Sequence, residues 1–316
     1  MIVRLLIAVL FFSRYDSHDI LSDLHRLFYL RYNKIDASHM SKLIKIGTRG
    51  SRLARWQANQ LKSKLASIDI ESELVIIKTK GDNIQNLGFD KMEGKGFFTK
   101  EIEDSLLAKE VDIAVHSLKD LPTSQADGLV IAGLSERADP RDLLLIHPDA
   151  VDIDSVLSLP AGAKVGTSSL RRKTQILHLA PEVNVVDLRG NVPTRIQKLR
   201  DGLYDAIILA AAGITRLDLD ISDLVVKKLH PREFVPAPAQ GVIGYQVRAS
   251  DTSLRKDILK LHDTATASRT NVERKVLKLM EGGCQMPLGV YCDIDQANNY
   301  HVYGAYAPSA LSLIHI

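Results

Sequence analysis

Only two cysteines, Cys284 and Cys292, occur in the 316 residues, and they form no C-x-x-C pair. That excludes a disulfide framework and a paired-cysteine metal site, and it makes a reducing compartment, the cytoplasm, the expected setting. Charge of one sign is also lacking: 41 basic against 38 acidic residues leave a formal net charge of +3. Such a balance gives no general attraction to nucleic acid or to a membrane surface, so any basic site must come from local clustering. No apolar run is long enough to span a bilayer comfortably. The nearest is M-I-V-R-L-L-I-A-V-L-F-F at residues 1–12, which has the look of a short signal-peptide core but no clean cleavage site after it. Met40 stands just before the first expected strand, so residues 1–40 read as an extension from a start placed too early; a targeting peptide or signal anchor is the alternative. A Walker-type phosphate loop is missing, and G-K-G at 94–96 lacks the rest of a dinucleotide fingerprint.

What is present is ordinary globular material. Apolar residues make up 45% and charged residues 25% of the chain, and the length suits two or three domains. From Lys42 onward, short apolar runs alternate with helical periodicity. Strands are expected at Leu43–Ile46, Leu74–Ile77, Val111–Val115, Leu129–Ala132, Leu143–Ile146, Val183–Val186 and Ala206–Leu209. Ala54, Ala58, Leu61, Leu65 and Ile68 recur at spacings of four and three, one face of a helix, and Ile102, Leu106 and Leu107 suggest a second. Strand–helix alternation predicts α/β domains with largely parallel sheets. Two Pro-containing breaks, E-R-A-D-P-R-D (136–142) and H-P-R-E-F-V-P-A-P-A-Q-G (230–241), fit crossings between two domains. A long helical stretch is expected from Thr252 to about Met280, followed by E-G-G-C-Q-M-P-L-G.

Arginine recurs where helices begin. Arg49 precedes Ser51, an expected N-cap. Arg171 and Arg172 follow Ser168 and Ser169 in G-T-S-S-L-R-R, and Arg195 follows Thr194 in R-G-N-V-P-T-R, with Arg189 upstream. A cation at that end of an exposed helix typically costs about 0.3–1 kcal/mol, whereas the free N–H groups there favour anions. One such arginine would simply point into water or pair locally. Several at equivalent junctions, if these converge at the carboxyl ends of parallel strands, line a cleft for a polyanion. A planar guanidinium suits carboxylate and phosphate equally, so the pattern alone leaves both open.

V-D-I-A-V-H-S-L-K-D-L-P-T places His116, Ser117, Lys119 and Asp120 just past a buried strand. Asp before Leu-Pro is commonly a turn former; as a functional group it would be an ionised carboxylate beside a cation, able to stabilise positive charge in a substrate. A lone His at a strand end is more often packed and hydrogen-bonded than a general base. An arbitrary free cysteine is more often a small buried hydrophobe than a reactive one.

Taken together, I-G-T-R-G-S-R-L-A-R-W-Q (46–57), G-K-G-F-F-T-K-E-I-E (94–103), D-I-A-V-H-S-L-K-D-L-P-T (112–123), E-R-A-D-P-R-D (136–142), V-G-T-S-S-L-R-R (165–172), L-R-G-N-V-P-T-R (188–195), Y-D-A-I-I-L-A-A-A-G-I-T-R-L (204–217), P-A-P-A-Q-G (236–241) and E-G-G-C-Q-M-P-L-G (281–289) occur in an order and spacing that resemble the porphobilinogen deaminase (hydroxymethylbilane synthase) family. The resemblance runs from near Ser41 to near Ser309.

The resemblance implies an α/β fold of three domains. The first two are like the lobes of type II periplasmic binding proteins, and the third is a small α+β domain carrying a cofactor cysteine. The expected boundaries are 41–138 with 236–257, 139–235, and 258–316. It implies a transferase of tetrapyrrole (heme) biosynthesis that condenses four porphobilinogens into hydroxymethylbilane and releases ammonia. The chain would grow on a dipyrromethane cofactor held by a thioether to Cys284. By this resemblance Asp120 is catalytic. Lys119, Thr167, Ser168, Ser169, Arg171, Arg172 and Arg195 bind the cofactor, and Arg49, Ser51, Gln57, Phe98, Arg189 and Arg216 bind substrate. The only expected partner is the small-molecule substrate; no metal, nucleic acid or membrane is implied, and the enzyme is expected to be a monomer. A two-lobed binding protein without activity is the rival from another class, and the third domain with Cys284 speaks against it. A truncated inactive member of the family is the other alternative. Family members are expected to continue past Y-A-P-S with a turn, a strand and a helix. Here the final L-S-L-I-H-I back-translates to a transposon end used as a sequencing adapter, so the expectation is a shortened third domain whose strand near Val302–Tyr306 is an unprotected edge.

Overall fold

The computed structural model describes residues 42–79, 99–280, 286–309 and 312–315. Three sheets organise them. The first contains β1 (Ile44–Thr48), β2 (Ser72–Ile76), β3 (Ile113–Ser117), β4 (Leu129–Leu134) and, from much later in the chain, β10 (Ile243–Arg248). Its order is β2-β1-β3-β10-β4. β1 pairs in parallel with β2 and β3, while β10 pairs antiparallel with both β3 and β4. The second sheet contains β5 (Asp142–Ile146), β6 (Lys164–Gly166), β7 (Asn184–Val186), β8 (Ala206–Ala210) and β9 (Val225–Lys228), in the order β7-β6-β8-β5-β9. Here β6 is parallel to β7 and β8, and β5 is antiparallel to β8 and β9.

The two sheets therefore follow one plan, and each departs from the expected parallel sheet at the same place. The antiparallel strand is in each case the one entered from the other lobe: β5 follows the first crossing, and β10 follows the return. A parallel neighbour needs a crossover over the sheet face, usually a helix, whereas a strand arriving from outside the lobe is free to run the other way. The central strands are buried along both faces, which is why they read as continuous apolar runs.

Helix α1 (Arg52–Ala66) buries Ala58, Leu61 and Leu65 against Ile46, Ile113, Val115 and Tyr245 of the first sheet. Helix α2 (Lys100–Leu107) buries Ile102 and Leu106, but Leu107 is 46% exposed. One residue past Leu106 turns about 100° around the helix and off the apolar stripe. In the second lobe, α3 (Leu170–Leu179), α4 (Val192–Arg200) and α5 (Ala211–Arg216) follow β6, β7 and β8. The expected single helix from Thr252 is two, α6 (Thr252–Leu259) and α7 (Thr264–Leu279). Asp263 makes the break: its carboxylate accepts from the Thr266 N–H at 2.6 Å as an N-cap, and its own N–H donates to the Leu134 carbonyl at 3.0 Å.

The third sheet is antiparallel, β11 (Leu288–Ile294), β12 (Tyr300–Ser309) and β13 (Ser312–His315), with β12 in the middle. The expectation of an unprotected edge at Val302–Tyr306 is corrected in part. Ala305 pairs with His315 and Tyr306 with Ile314, so the tail itself covers the edge from Ala305 on, while Val302 remains 40% exposed. Strand pairing uses backbone groups, and any short aliphatic segment following a free edge can supply them.

One carboxylate ties these parts together. Glu273 of α7 is fully buried and holds Arg137 of the first crossing through two bonds of 2.6 and 3.2 Å. It also accepts from the N–H of Ala239 in the return crossing (2.7 Å) and from the N–H of Cys292 in β11 (2.9 Å). The two crossings touch: Ala138 N–H donates to the Gly241 carbonyl at 3.0 Å, and a Cβ on Gly241 would lie 2.6 Å from the Ala138 carbonyl oxygen. β11 presses on the return crossing equally closely, since a Cβ on Gly289 would lie 2.5 Å from the Val235 carbonyl oxygen. Among the described residues, no helix is long and apolar enough to cross a membrane.

Candidate functional site

The site forms where the two crossings meet the carboxyl ends of the parallel strands. β3 ends in a single 3-10 turn, Leu118–Asp120, which presents half-buried Lys119 and exposed Asp120. β5 begins with Asp142, buried immediately after the first crossing. The first turn of α3 directs Arg171 and Arg172 at it. Asp142 Oδ1 accepts from Arg172 Nη2 at 2.8 Å, and Asp142 Oδ2 lies 2.8 Å from Arg171 Nη2 in an ion pair that is off hydrogen-bond alignment. Gln240 of the return crossing donates to Asp142 Oδ1 (2.9 Å) and to the Pro140 carbonyl (2.8 Å), and its Oε1 faces Lys119 Nζ at 3.4 Å. A polar chain thus runs from Lys119 in one lobe through Gln240 and Asp142 to the two arginines of the other.

The electrostatics of this chain are lopsided. Burial alone would raise the Asp142 carboxyl, but the Arg171 and Arg172 guanidiniums hold it well below the usual carboxylate range. Burial pushes the Lys119 ammonium down; Asp120 opposes this, while Arg172 adds to it. Arg171 is lowered by burial against the pull of Asp142. Arg195 in α4 is pulled down to about 10, first by burial and then by the neighbouring charges of Arg172 and Arg189. Arg195 Nε donates to the Gly190 carbonyl at 2.7 Å, and Arg189 lies 4.0 Å from exposed Asp187. Arg172 Nε is buried with no hydrogen-bond acceptor. The guanidiniums of Arg171, Arg172 and Arg195 crowd together with Asp142 paired to the first two, an arrangement that favours an added anion.

The other expected residues are distributed around this cluster. β1 and β3 are parallel neighbours, so Arg49 just past β1 leaves the same sheet edge as Asp120. Ser51 caps α1, accepting from the Ala54 N–H at 3.2 Å, and buried Gln57 donates to Ser117 Oγ at 2.8 Å. Ser168 Oγ accepts from Leu188 N–H (3.1 Å) and donates to the Leu188 carbonyl (2.9 Å), stitching the β6–α3 loop to the β7–α4 loop. Thr167 Oγ1 accepts from the Ser169 N–H at 3.2 Å. These polar side chains therefore shape the cleft wall in addition to any ligand they meet. Arg216 donates to the Gly241 carbonyl at 2.7 Å, sits 5.6 Å above the Trp56 ring of α1, and is brought by burial to about 10. Phe98 and Cys284 lie outside the described residues. Cys292, by contrast, is buried in β11 with its thiol pushed up by burial.

Sequence reasoning missed Asp142 and Gln240 as site residues. Both sit in the Pro-containing breaks, and their only signal was that the chain crosses there. The packed reading of His116 fits its surroundings. It is buried on β3 with Nε2 3.1 Å from Gln246 Oε1, and burial takes its pKa from 6.5 to about 4. The unfolded chain takes up this proton first on acidification. The stability His116 allows is therefore complete above pH 6.5 and is lost as pH falls toward 4, by about 3 kcal/mol in all. Urea unfolding of His116→Gln at pH 7 and pH 4 should show a correspondingly shallower loss than the parent; equal losses would place the acid sensitivity elsewhere.

Two family descriptions match the chain: "Porphobilinogen deaminase, dipyromethane cofactor binding domain" over residues 44–256 and "Porphobilinogen deaminase, C-terminal domain" over residues 267–312. Among curated relatives, a porphobilinogen deaminase of Sulfurimonas denitrificans is 46% identical over 257 residues, covering 81% of this chain and 80% of the relative. One from Syntrophobacter fumaroxidans is 43% identical over 250 residues, 78% of this chain and 79% of the relative. One from Clostridioides difficile is 43% identical over 270 residues, 84% and 87%. Among solved structures, the periplasmic VFT2 domain of Bordetella pertussis BvgS overlaps 78% of this chain and 97% of its own at a TM-score of 0.42 and 13% identity.

Proposed function

Because the chain belongs to the porphobilinogen deaminase family, we propose that its cationic cleft holds the pyrrole carboxylates of primer and substrate while Asp120 serves the chemistry. The enzyme is a transferase that condenses four porphobilinogens into hydroxymethylbilane with release of ammonia, on a dipyrromethane cofactor. The observation that carries the site assignment is the Lys119–Gln240–Asp142–Arg171/Arg172 cluster with its surplus of buried positive charge. An acetate- and propionate-bearing dipyrromethane fits that surplus.

When bound through Cys284, the cofactor supplies the nucleophilic pyrrole carbon. Lys119, Arg171, Arg172 and Arg195, with the loop held by Thr167, Ser168 and Ser169, bind its carboxylates. Asp142 orients the paired guanidiniums without neutralising the whole cluster. Arg49, Arg189 and Arg216 receive the carboxylates of incoming substrate, with Ser51, Gln57 and Phe98 forming the wall beside them. Loss of ammonia from porphobilinogen leaves a cation delocalised over the ring. Asp120 accepts the pyrrole N–H and stabilises that charge, the preorganised electrostatic role with the greatest leverage on rate. The three domains are taken as 41–138 with 236–257, 139–235, and 258–316, and the protein as a cytoplasmic monomer whose only required partner is its substrate.

Intact mass measurement tests the reading. Purified protein should weigh the polypeptide plus two pyrrole units, and limiting porphobilinogen should add mass in single-pyrrole steps; a bare polypeptide that consumes no porphobilinogen would defeat it. The arginines should separate by role in the same assay. Truncating a buried, charge-paired side chain typically weakens binding by about 2–5 kcal/mol, so losses of at least roughly 30-fold are expected. Arg171→Ala and Arg172→Ala should fail to assemble or retain the primer, whereas Arg49→Ala should carry it and stall in elongation. Normal stepwise elongation in all three would reject the converging-arginine site.

A further inference from the structure

The turn that presents Asp120 is held from the third domain by a side chain that the family motifs quoted above do not include. Arg274 of α7 donates from Nη1 to the carbonyls of Leu118 and Leu121, both at 3.0 Å, and from Nη2 to the carbonyl of Pro122 at 2.7 Å. These three carbonyls bracket Lys119 and Asp120. The backbone bond that closes the turn is a long one, Leu121 N–H to the Leu118 carbonyl at 3.3 Å. Leu118 and Leu121 anchor it in the core, yet Asp120 between them is exposed. Three carbonyl oxygens converging on one point repel one another unless a cation with several coplanar donors sits between them, and guanidinium is the side chain built that way.

We propose that Arg274 is a positioning residue for Asp120: it clamps the Leu118–Pro122 turn so that the carboxylate stays aimed into the cleft. This rests on the reading of Asp120 given above. The neighbouring residue on α7 is Glu273, which fixes both crossings and β11. Two adjacent side chains of one helix therefore set the crossings and the Asp120 turn together. The same helix runs on toward the segment that contains Cys284. Docking of the third domain and placement of the carboxylate thus become one event, with Arg274 as the link.

Misplacing a reacting group by about 1 Å can cost about 100-fold in rate without weakening binding. Arg274→Ala holoenzyme is accordingly expected to lose about 10- to 100-fold in kcat, with KM for porphobilinogen within about twofold and the two-pyrrole mass retained. Guanidinium ion at sub-denaturing concentration should restore part of the lost turnover in Arg274→Ala and none in Asp120→Asn. Combining the two substitutions should give a protein no slower than Asp120→Asn alone, because Arg274 acts through that carboxylate. If Arg274→Ala does not fold, Arg274→Lys, whose one nitrogen cannot span all three carbonyls, should fold and show an intermediate kcat. Parental kcat in Arg274→Ala or Arg274→Lys, or kcat losses that multiply in the double variant, would overturn the inference. Normal turnover by Asp120→Asn would instead defeat the functional reading beneath it.

Discussion

Cys284→Ala protein is expected to leave purification at the bare polypeptide mass and to consume no porphobilinogen at all. A thioether forms only from a thiolate, and alanine offers no nucleophile in its place. The second cysteine cannot substitute. Cys292 is wholly buried in β11, its backbone N–H is bound to Glu273, and burial pushes its thiol toward the protonated form. Cys284 stands between α7 and β11 in the chain, in the E-G-G-C-Q-M-P-L-G segment. Loss should therefore be complete. Cys292→Ala should keep the primer. A Cys284→Ala preparation still carrying two pyrrole units would show the attachment to be elsewhere.

Asp120→Asn is expected to fold, assemble the primer and turn over roughly 100- to 1000-fold more slowly, the usual loss when one preorganised charge-stabilising group is removed. Asparagine is nearly isosteric and keeps an acceptor oxygen, so the Leu118–Asp120 turn should persist. What disappears is the negative charge that the proposed mechanism sets beside a delocalised cation. The cluster of Asp142, Arg171 and Arg172 is held by its own ion pairs, each at 2.8 Å. Single-turnover measurements on holoenzyme separate the chemical step from primer assembly. Turnover within a few-fold of the parent would remove Asp120 from the mechanism.

The sequence announced those parts of the fold that depend on local runs. I-A-V, L-L-L-I and A-I-I-L gave β3, β5 and β8 because strands buried on both faces are apolar throughout, and L-I-K-I gave β1 although Lys45 is exposed. β6, K-V-G, is too short to register, and β10, I-G-Y-Q-V-R, interleaves apolar residues with Gly244 and Gln246. The place of β10 between β3 and β4 is set by contacts more than a hundred residues away, such as Gln246 with His116. The same divide runs through the site. Arg171 and Arg172 were legible as misplaced helix-start cations, but Asp142, their partner, looked like the end of a loop. Gln240 and the Arg137–Glu273 pair were invisible for the same reason: each joins segments that only the crossings bring together. For Ser168 and Gln57 the direction was not readable, since a hydroxyl or amide that ties two loops has the same letter as one aimed at a ligand.

The interleaving of the two lobes also dictates an order of assembly on the ribosome. All strands of the second sheet lie between Asp142 and Lys228, so that lobe can close as soon as its own residues have emerged. The first sheet cannot. β3 and β4 are both finished by Leu134, yet the strand that belongs between them begins at Ile243. For the time needed to make over a hundred residues, the N-terminal lobe exists as two fragments with facing unpaired edges, the condition most open to wrong partners. The lobe made first is completed last, and a nascent chain of this protein has most need of a chaperone at its N-terminal end until β10 slides into the gap.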